Sequence, residues 1–310
     1  MTDPMSELKR LIEPRPALLY TAGRRLSVDG DLIDPLDNGQ LQFHRAQHII
    51  RFMAPGNGFG KTASMAVEAD WWAHGDHPYL RDINATRRRQ LVWVASTYKQ
   101  WELVRPRVEP WWPDDVRATW VGSPKFCYTW PDGSTLSIIT AETPWSAVQG
   151  FEPDLVLVDE DIPASLWREL LKRRRGNTRT KYAIAATQTQ GLTWMYHELY
   201  LPWRRVHEKL GILDEREMVR RQLHRFDDPA LAHVPGIWCL PFGGHRDNPT
   251  ATKETWAFYL ATTTGHPAER HVRLYGGFRD FAGQPVFDPE QLEKMRRFLK
   301  PGQTGRIAAA

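Results

Sequence analysis

The sequence predicts an α/β fold, with a mostly parallel central sheet flanked by helices and a small lid-like C-terminal subdomain. Three observations carry that expectation. Short apolar runs of strand length alternate with helix-length segments, the order that crossover connections impose on a parallel sheet. One of these runs enters a glycine-rich loop that leads straight into a helix beginning at Gly60-Lys61-Thr62. Another, Leu155-Val156-Leu157-Val158, ends on the paired acids Asp159 and Glu160.

In chain order, residues 1–40 read as an irregular leader. Pro4, Pro14, Pro16 and Pro35 punctuate it, and Asp29-Gly30 and Asn38-Gly39 are turn signals. Residues 41–190 read as the core. His48 to Ala54 is a short buried strand stopped by Pro-Gly, and Lys61 to Trp72 a helix with Gly75 just past its end. Leu91 to Ala95 is a second buried strand, followed by a helix from Tyr98 toward Val108. Phe126 to Trp130 and Thr135 to Thr140 flank Asp132-Gly133, a pair that accepts the positive φ angles of a tight hairpin. Leu155 to Val158 is a third apolar strand. Pro163 opens a helix that ends at Gly176-Asn177, and Tyr182 to Ala186 makes a fourth strand. Residues 191–310 turn helical and aromatic, with a strand-like stretch from Gly236 to Leu240, and read as a lid and linker subdomain.

Composition narrows the classes. With 25% charged and 41% hydrophobic residues, the chain sits near the globular average of about a quarter and just under half; disordered and fibrous chains are excluded. No window approaches the roughly 20 apolar residues that span a bilayer. The start carries no basic and apolar leader of the secretory kind, and Cys127 and Cys239 are expected as packed, reduced thiols. The net charge of +4 is modest, but Arg87-Arg88-Arg89 and Lys172-Arg173-Arg174-Arg175 concentrate it. Such runs can lie along a phosphate backbone, and equally read as solvated helix ends or loops. The 14 tryptophans often stand in pairs or beside prolines, as packing anchors do.

The sharpest motif is Pro55-Gly56-Asn57-Gly58-Phe59-Gly60-Lys61-Thr62. Glycines let backbone N–H groups curl around phosphate oxygens, and the helix start adds the positive end of its dipole. Lys61, expected to face solvent without a ligand, would reach the β- and γ-phosphates of ATP, and the Thr62 hydroxyl would hold Mg²⁺. The eight-residue pattern asks for Gly where this chain has Pro55. These residues narrow the α/β class to a P-loop NTPase.

The acids fit the same site, because strand C-termini emerge beside the phosphate loop in doubly wound sheets. Asp159 would join the Mg²⁺ shell and Glu160 would polarise a water for in-line attack. Asp161 reads as a cap for the helix opened by Pro163. Arg168 and Arg173 to Arg175 are candidates for an arginine finger, with Arg173 the choice; their other reading is cations complementing a helix dipole. The histidines, His44, His48, His224, His245 and His266 among them, show no metal-ligand spacing with the cysteines and read as surface or packing residues.

In their order, these motifs resemble the ATPase domain of large terminase subunits, the DNA-packaging motors of tailed bacteriophages. Phe43-His44-Arg45-Ala46-Gln47 resembles that family's adenine-side segment, which puts Gln47 in the nucleotide site. Glu68 through Gly75 to His77-Pro78-Tyr79 resembles its helix closing on a Gly-x-x-Pro turn. The hairpin, Ser146-Ala147-Val148-Gln149-Gly150 and Asp154 follow in the family's order. Ala185-Ala186-Thr187-Gln188-Thr189-Gln190 resembles its coupling motif, which puts Thr187 in the role of nucleotide sensor. Arg246-Asp247-Asn248-Pro249 and Arg273 to Phe278, then Gly283 to Phe287, resemble the stretch leading to the nuclease. Terminase loops often carry a basic residue where this chain has Gly56, Asn57, Gly58 and Phe59. After Phe287 only Asp288, Glu290 and Glu293 remain as acids, so no nuclease activity is expected.

The resemblance implies a Mg²⁺-dependent ATPase that moves double-stranded viral DNA into a procapsid in the host cell cytoplasm. It also implies a portal protein and a small terminase subunit as partners, and a homo-oligomeric ring. Two other readings share the phosphate chemistry: a P-loop helicase or remodeller, and a nucleotide-binding assembly scaffold.

Overall fold

The computed structural model describes residues 16–23, 26, 30–32, 34, 37–80, 87–120, 126–148, 152–175, 179–223 and 236–279. The strands in chain order are β1 (Ile50–Met53), β2 (Gln90–Ala95), β3 (Arg117–Trp120), β4 (Phe126–Thr129), β5 (Thr135–Thr140), β6 (Leu155–Asp159), β7 (Lys181–Ala185) and β8 (Ile237–Leu240). They form one sheet ordered β3-β4-β5-β2-β6-β7-β1-β8. From β5 to β8 every neighbouring pair is parallel; β4 pairs antiparallel with both β3 and β5. β6 and β7 are buried at every residue, and β2 at all but Gln90. That is why they read as continuous apolar runs rather than alternating ones.

The helices are α1 (Gly39–Arg45), α2 (Lys61–His74), α3 (Tyr98–Val108), α4 (Ala164–Lys172), α5 (Leu201–Lys209), α6 (Glu215–Leu223), α7 (Lys253–Thr262) and α8 (Pro267–Tyr275). α2 packs across β2, β6 and β7 and is buried on most of its surface. It ends where Gly75 turns left-handed at φ 69° and returns its N–H to the carbonyls of Trp71 and Trp72, a cap that favours glycine. Trp72, Trp93, Trp101, Trp130, Trp167, Trp203 and Trp238 are fully buried side chains; Trp72 stands in a pair and Trp130 and Trp203 beside prolines, whereas the other four carry neither mark. Among the described residues no helix is long and apolar enough to cross a membrane.

Three expectations are corrected here. The sheet does not stop near residue 190, because β8 pairs with β1 along all its residues, Ile50 to Ile237 through Met53 to Leu240. The hairpin has a further partner, β3, whose polar Arg117-Ala118-Thr119 carries no strand signal. Asp161 does not cap α4; the N-cap position is Pro163, and no side chain caps that end. The nuclease expectation falls on residues 280–310, outside the described residues.

A buried polar network lies behind the glycine loop. Arg51, on the middle of β1 and fully buried, donates through both terminal nitrogens to Glu68 of α2, at 2.7 and 2.6 Å. His44 Nδ1 and His77 Nε2 approach the same carboxylate at 2.7 and 3.2 Å. His77 Nδ1 accepts the N–H groups of Tyr79 and Leu80, which leaves Nε2 to donate. Burial alone would push the Glu68 carboxyl up; Arg51 and the two histidines hold it well below its ordinary range. His44, Glu68 and His77 come within metal-ligand reach of one another, but the carboxylate is already saturated by the guanidinium and the imidazoles. Glu68→Ala strands the Arg51 charge, and removing one partner of a buried pair costs about 3–5 kcal/mol. Urea unfolding of this variant should show a lowered midpoint at unchanged m-value; a loss under about 1 kcal/mol would show that the pair is not a stabilising element.

Candidate active site

The glycine loop leaves β1 at Ala54 and reaches α2 at Lys61. Its first limb is tied down from above: Gly56 N–H donates to the carbonyl of Gly243 at 2.9 Å and Asn57 N–H to that of Arg273 at 2.7 Å. Gly277 N–H in turn donates to Ala54 O at 2.9 Å. The approach is close enough that a Cβ on Gly56 would lie 2.3 Å from the Arg273 carbonyl oxygen. Beyond Asn57 the pattern changes. Gly58 and Gly60 take positive φ angles of 73° and 102°. The N–H groups of Gly58, Phe59, Gly60, Lys61 and Thr62 donate to nothing else among the described residues. Five successive N–H groups at a helix start form a concavity suited to phosphate oxygens. Phe59 serves the loop by its backbone, since its side chain is buried.

Lys61 is not solvent-facing as expected. It is buried, and its Nζ donates to Pro55 O at 3.3 Å, Gly56 O at 3.0 Å and Thr187 Oγ1 at 2.6 Å. Burial lowers its pKa, while Glu160 and Asp159 pull it back up. Two carbonyls of the loop itself thus hold the ammonium against Thr187.

β7 lies between β1 and β6, and that order places Thr187, just past the end of β7, between the loop and the acids. Thr187 Oγ1 accepts from Lys61 and donates to Asn57 Oδ1 at 3.1 Å. Its N–H donates to Glu160 Oε2 at 2.9 Å. Residues far apart in sequence therefore meet at one hydroxyl-bearing residue. Glu160 is the one non-glycine residue with positive φ among those described, at 72°, a conformation costing roughly 1–2 kcal/mol for an L-residue. Such strain clusters at functional sites. Asp159 is buried; burial first, and then the Glu160 charge, raise its pKa to about 7 against the pull of Lys61. Buried Asp159 beside half-buried Glu160 offers carboxylate oxygens of the kind a hard divalent cation takes. The free N–H cradle, the buried ammonium, the Thr62 hydroxyl and this pair fit a nucleoside triphosphate with Mg²⁺.

Gln47 is not brought to the loop by any contact. Its amide donates to the carbonyls of Arg45 at 3.3 Å and Tyr79 at 2.8 Å. The glutamine on the loop is Gln40, whose amide donates to Phe59 O and whose carbonyl accepts from Tyr20 OH at 2.6 Å and Gly23 N–H at 2.7 Å. Sequence reasoning passed over it because the resemblance of residues 43–47 pointed to Gln47. The signal was Asn38, whose side chain caps α1 and starts a helix with Gln40 in its first turn.

Arg173 does not face the site of its own chain. It is ion-paired with Glu169 on its own helix, Arg168 is paired with Glu198, and Arg174 donates to Thr180 O. Thr180 precedes β7, whereas Thr187 follows it. The end of α4 thus sits at the sheet edge opposite the loop, separated from it by the length of β7, about 16 Å for five residues at about 3.3 Å each. The Arg175 side chain lies outside the described residues.

The family described as "Terminase large subunit, T4likevirus-type, N-terminal" matches residues 52–293. No curated protein matches the chain. Among solved structures, it is similar to the large terminase of a thermophilic bacteriophage in complex with ADP, at 14% identity and a TM-score of 0.45. That match covers 74% of this chain and 47% of the other, so the present chain spans about half the length of that relative.

Proposed function

The chain belongs to the terminase large-subunit family, and from that premise we propose that it is a Mg²⁺-dependent ATPase coupling hydrolysis to translocation of double-stranded viral DNA into a procapsid. The observation that carries this reading is the convergence of Lys61, Asn57 and Glu160 on Thr187. The N–H groups from Gly58 to Thr62 bind the phosphates of ATP, and Lys61 exchanges its carbonyl partners for phosphate oxygens. Thr62 and Asp159 would hold Mg²⁺, which would supply charge neutralisation to the phosphates. Glu160, held by Thr187 N–H, orients a water and takes its proton. Because Thr187 bonds both the loop and Glu160, a change at the γ-phosphate reaches β7 through it. Portal protein, small subunit, ring assembly and action in the host cytoplasm belong to the same proposal.

The test is phosphate release by the purified chain. Mg²⁺-dependent release that duplex DNA or self-association accelerates is the expected result. Absence of both release and ATP binding at saturating Mg²⁺ would overturn the assignment, and strand separation would move it to a helicase.

A further inference from the structure

The nucleotide site uses neither of the two basic runs, 87–89 and 172–175. The fold nevertheless brings them together. Arg87 is ion-paired with Asp154 ahead of β6, and the Asp154 carbonyl accepts Lys181 N–H of β7 at 2.9 Å. Arg174 donates to Thr180 O, next to exposed Arg179. Burial first, then the charges of Arg87 and Arg179, lower the pKa of Arg89, while Asp154 and Asp132 pull it back up; these arginines and acids therefore lie near one another. Exposed Arg88 borders Gly133 at the turn into β5. On the other flank Lys181 Nζ donates to Gln47 O at 3.4 Å, two residues from exposed Arg45.

Arginines and lysines thus succeed one another along the starts of β5, β2, β6, β7 and β1, the edge opposite the glycine loop. Four strand spacings of about 4.8 Å make that edge about 19 Å long. Duplex DNA presents about eleven phosphate charges over that distance, at about 1.7 Å per charge. Asp154 and Glu169 neutralise Arg87, Lys172 and Arg173 in ion pairs, and among the described residues Asp76, Asp132 and Glu152 are exposed acids beside the edge; Arg45, Arg88 and Arg174 lie outside those pairs.

We propose that this arginine edge, formed by Arg45, Arg87, Arg88, Arg174 and Arg179, binds the phosphate backbone of duplex DNA. A row of guanidinium groups offers a polyanion several charge-assisted hydrogen bonds at once. Only the choice of DNA as the polyanion rests on the proposed function. An edge remote from the loop also leaves the nucleotide site open while DNA is held.

The test is fluorescence anisotropy of a labelled duplex of random sequence, titrated with the full chain at several salt concentrations. Each phosphate contact adds about 0.9 to the slope of log K against log salt. Replacing Arg45, Arg88 and Arg179 together by Gln should lower that slope by about 2 to 3 and weaken binding about 10²-fold or more at 0.1 M salt. Arg88→Gln alone, at an exposed position, should lower the slope by about one, so the outcome does not hang on how the triple variant folds. Mg²⁺-ATP binding is measured beside it and should not change. Wild-type affinity and slope in both variants, or no duplex binding by the wild type, would overturn the proposal. Loss of duplex binding in the variants of a chain that binds no ATP would uphold the edge and sink the nucleotide reading instead. Displacement by an acidic polypeptide but not by unlabelled duplex would assign the edge to a protein partner and overturn it.

Discussion

Lys61→Ala is expected to abolish Mg²⁺-ATP binding and to lower phosphate release by about 10²-fold or more, the scale of removing one preorganised charge from a reacting phosphate. Lys61 is the cation at the centre of the loop, and without it the phosphate charge faces the acids Asp159 and Glu160 directly. The fold should survive. Burial depresses the pKa of this ammonium, so its removal also removes a desolvation cost, which offsets the lost bonds to Pro55 O, Gly56 O and Thr187 Oγ1. A melt with and without nucleotide separates the two effects. At a hundredfold excess over Kd, ATP should stabilise the wild type by about 2.7 kcal/mol and the variant not at all. An equal nucleotide-induced shift in both would remove Lys61 from the site.

What could be read from sequence were features whose physics is local. The glycine loop is legible because its partners are its own N–H groups, and Gly58, Gly60 and Lys61 stand where that geometry needs them. Strands β2, β6 and β7 are legible because burial on both faces leaves an unbroken apolar run. Long-range pairings were not. Arg51 inside an apolar strand and Glu68 inside an apolar helix carry no mark of each other; only the packing of α2 on the sheet joins them. β8 looks like an isolated strand until β1 offers it an edge. Arg173 sits close to the acid pair in sequence, yet α4 carries it the length of a strand away. Lys61 read as exposed because nothing in the sequence tells that Pro55 and Gly56 fold their carbonyls over it. Glu160 was chosen for its charge, whereas its left-handed backbone, the strongest sign of a specialised position, exists only in three dimensions.

Glu160→Gln should retain Mg²⁺-ATP binding and lose about 10²–10⁴-fold in turnover, the contribution typical of a positioned general base. The amide oxygen can still accept the Thr187 N–H bond that Glu160 Oε2 accepts at 2.9 Å, and φ at 72° is no harder for Gln than for Glu. Shape and position are thus kept while the proton acceptor is lost. Asp159→Asn should do the converse: affinity for ATP becomes independent of Mg²⁺, because the amide is a poor ligand for a hard cation. Glu160→Gly distinguishes chemistry from stability. Glycine takes the left-handed conformation without the strain of roughly 1–2 kcal/mol, against an entropic cost of about 0.5–1 kcal/mol and the loss of the Thr187 bond. The fold should therefore change by no more than about 1 kcal/mol, while turnover falls as in the Gln variant. Both substitutions are read by single-turnover phosphate release beside nucleotide-binding and melting curves. Native turnover in Glu160→Gln would move the base elsewhere. A Gly variant that unfolds would show that Glu160 holds the β6–β7 junction together, and that its strained backbone is a structural device rather than a catalytic one.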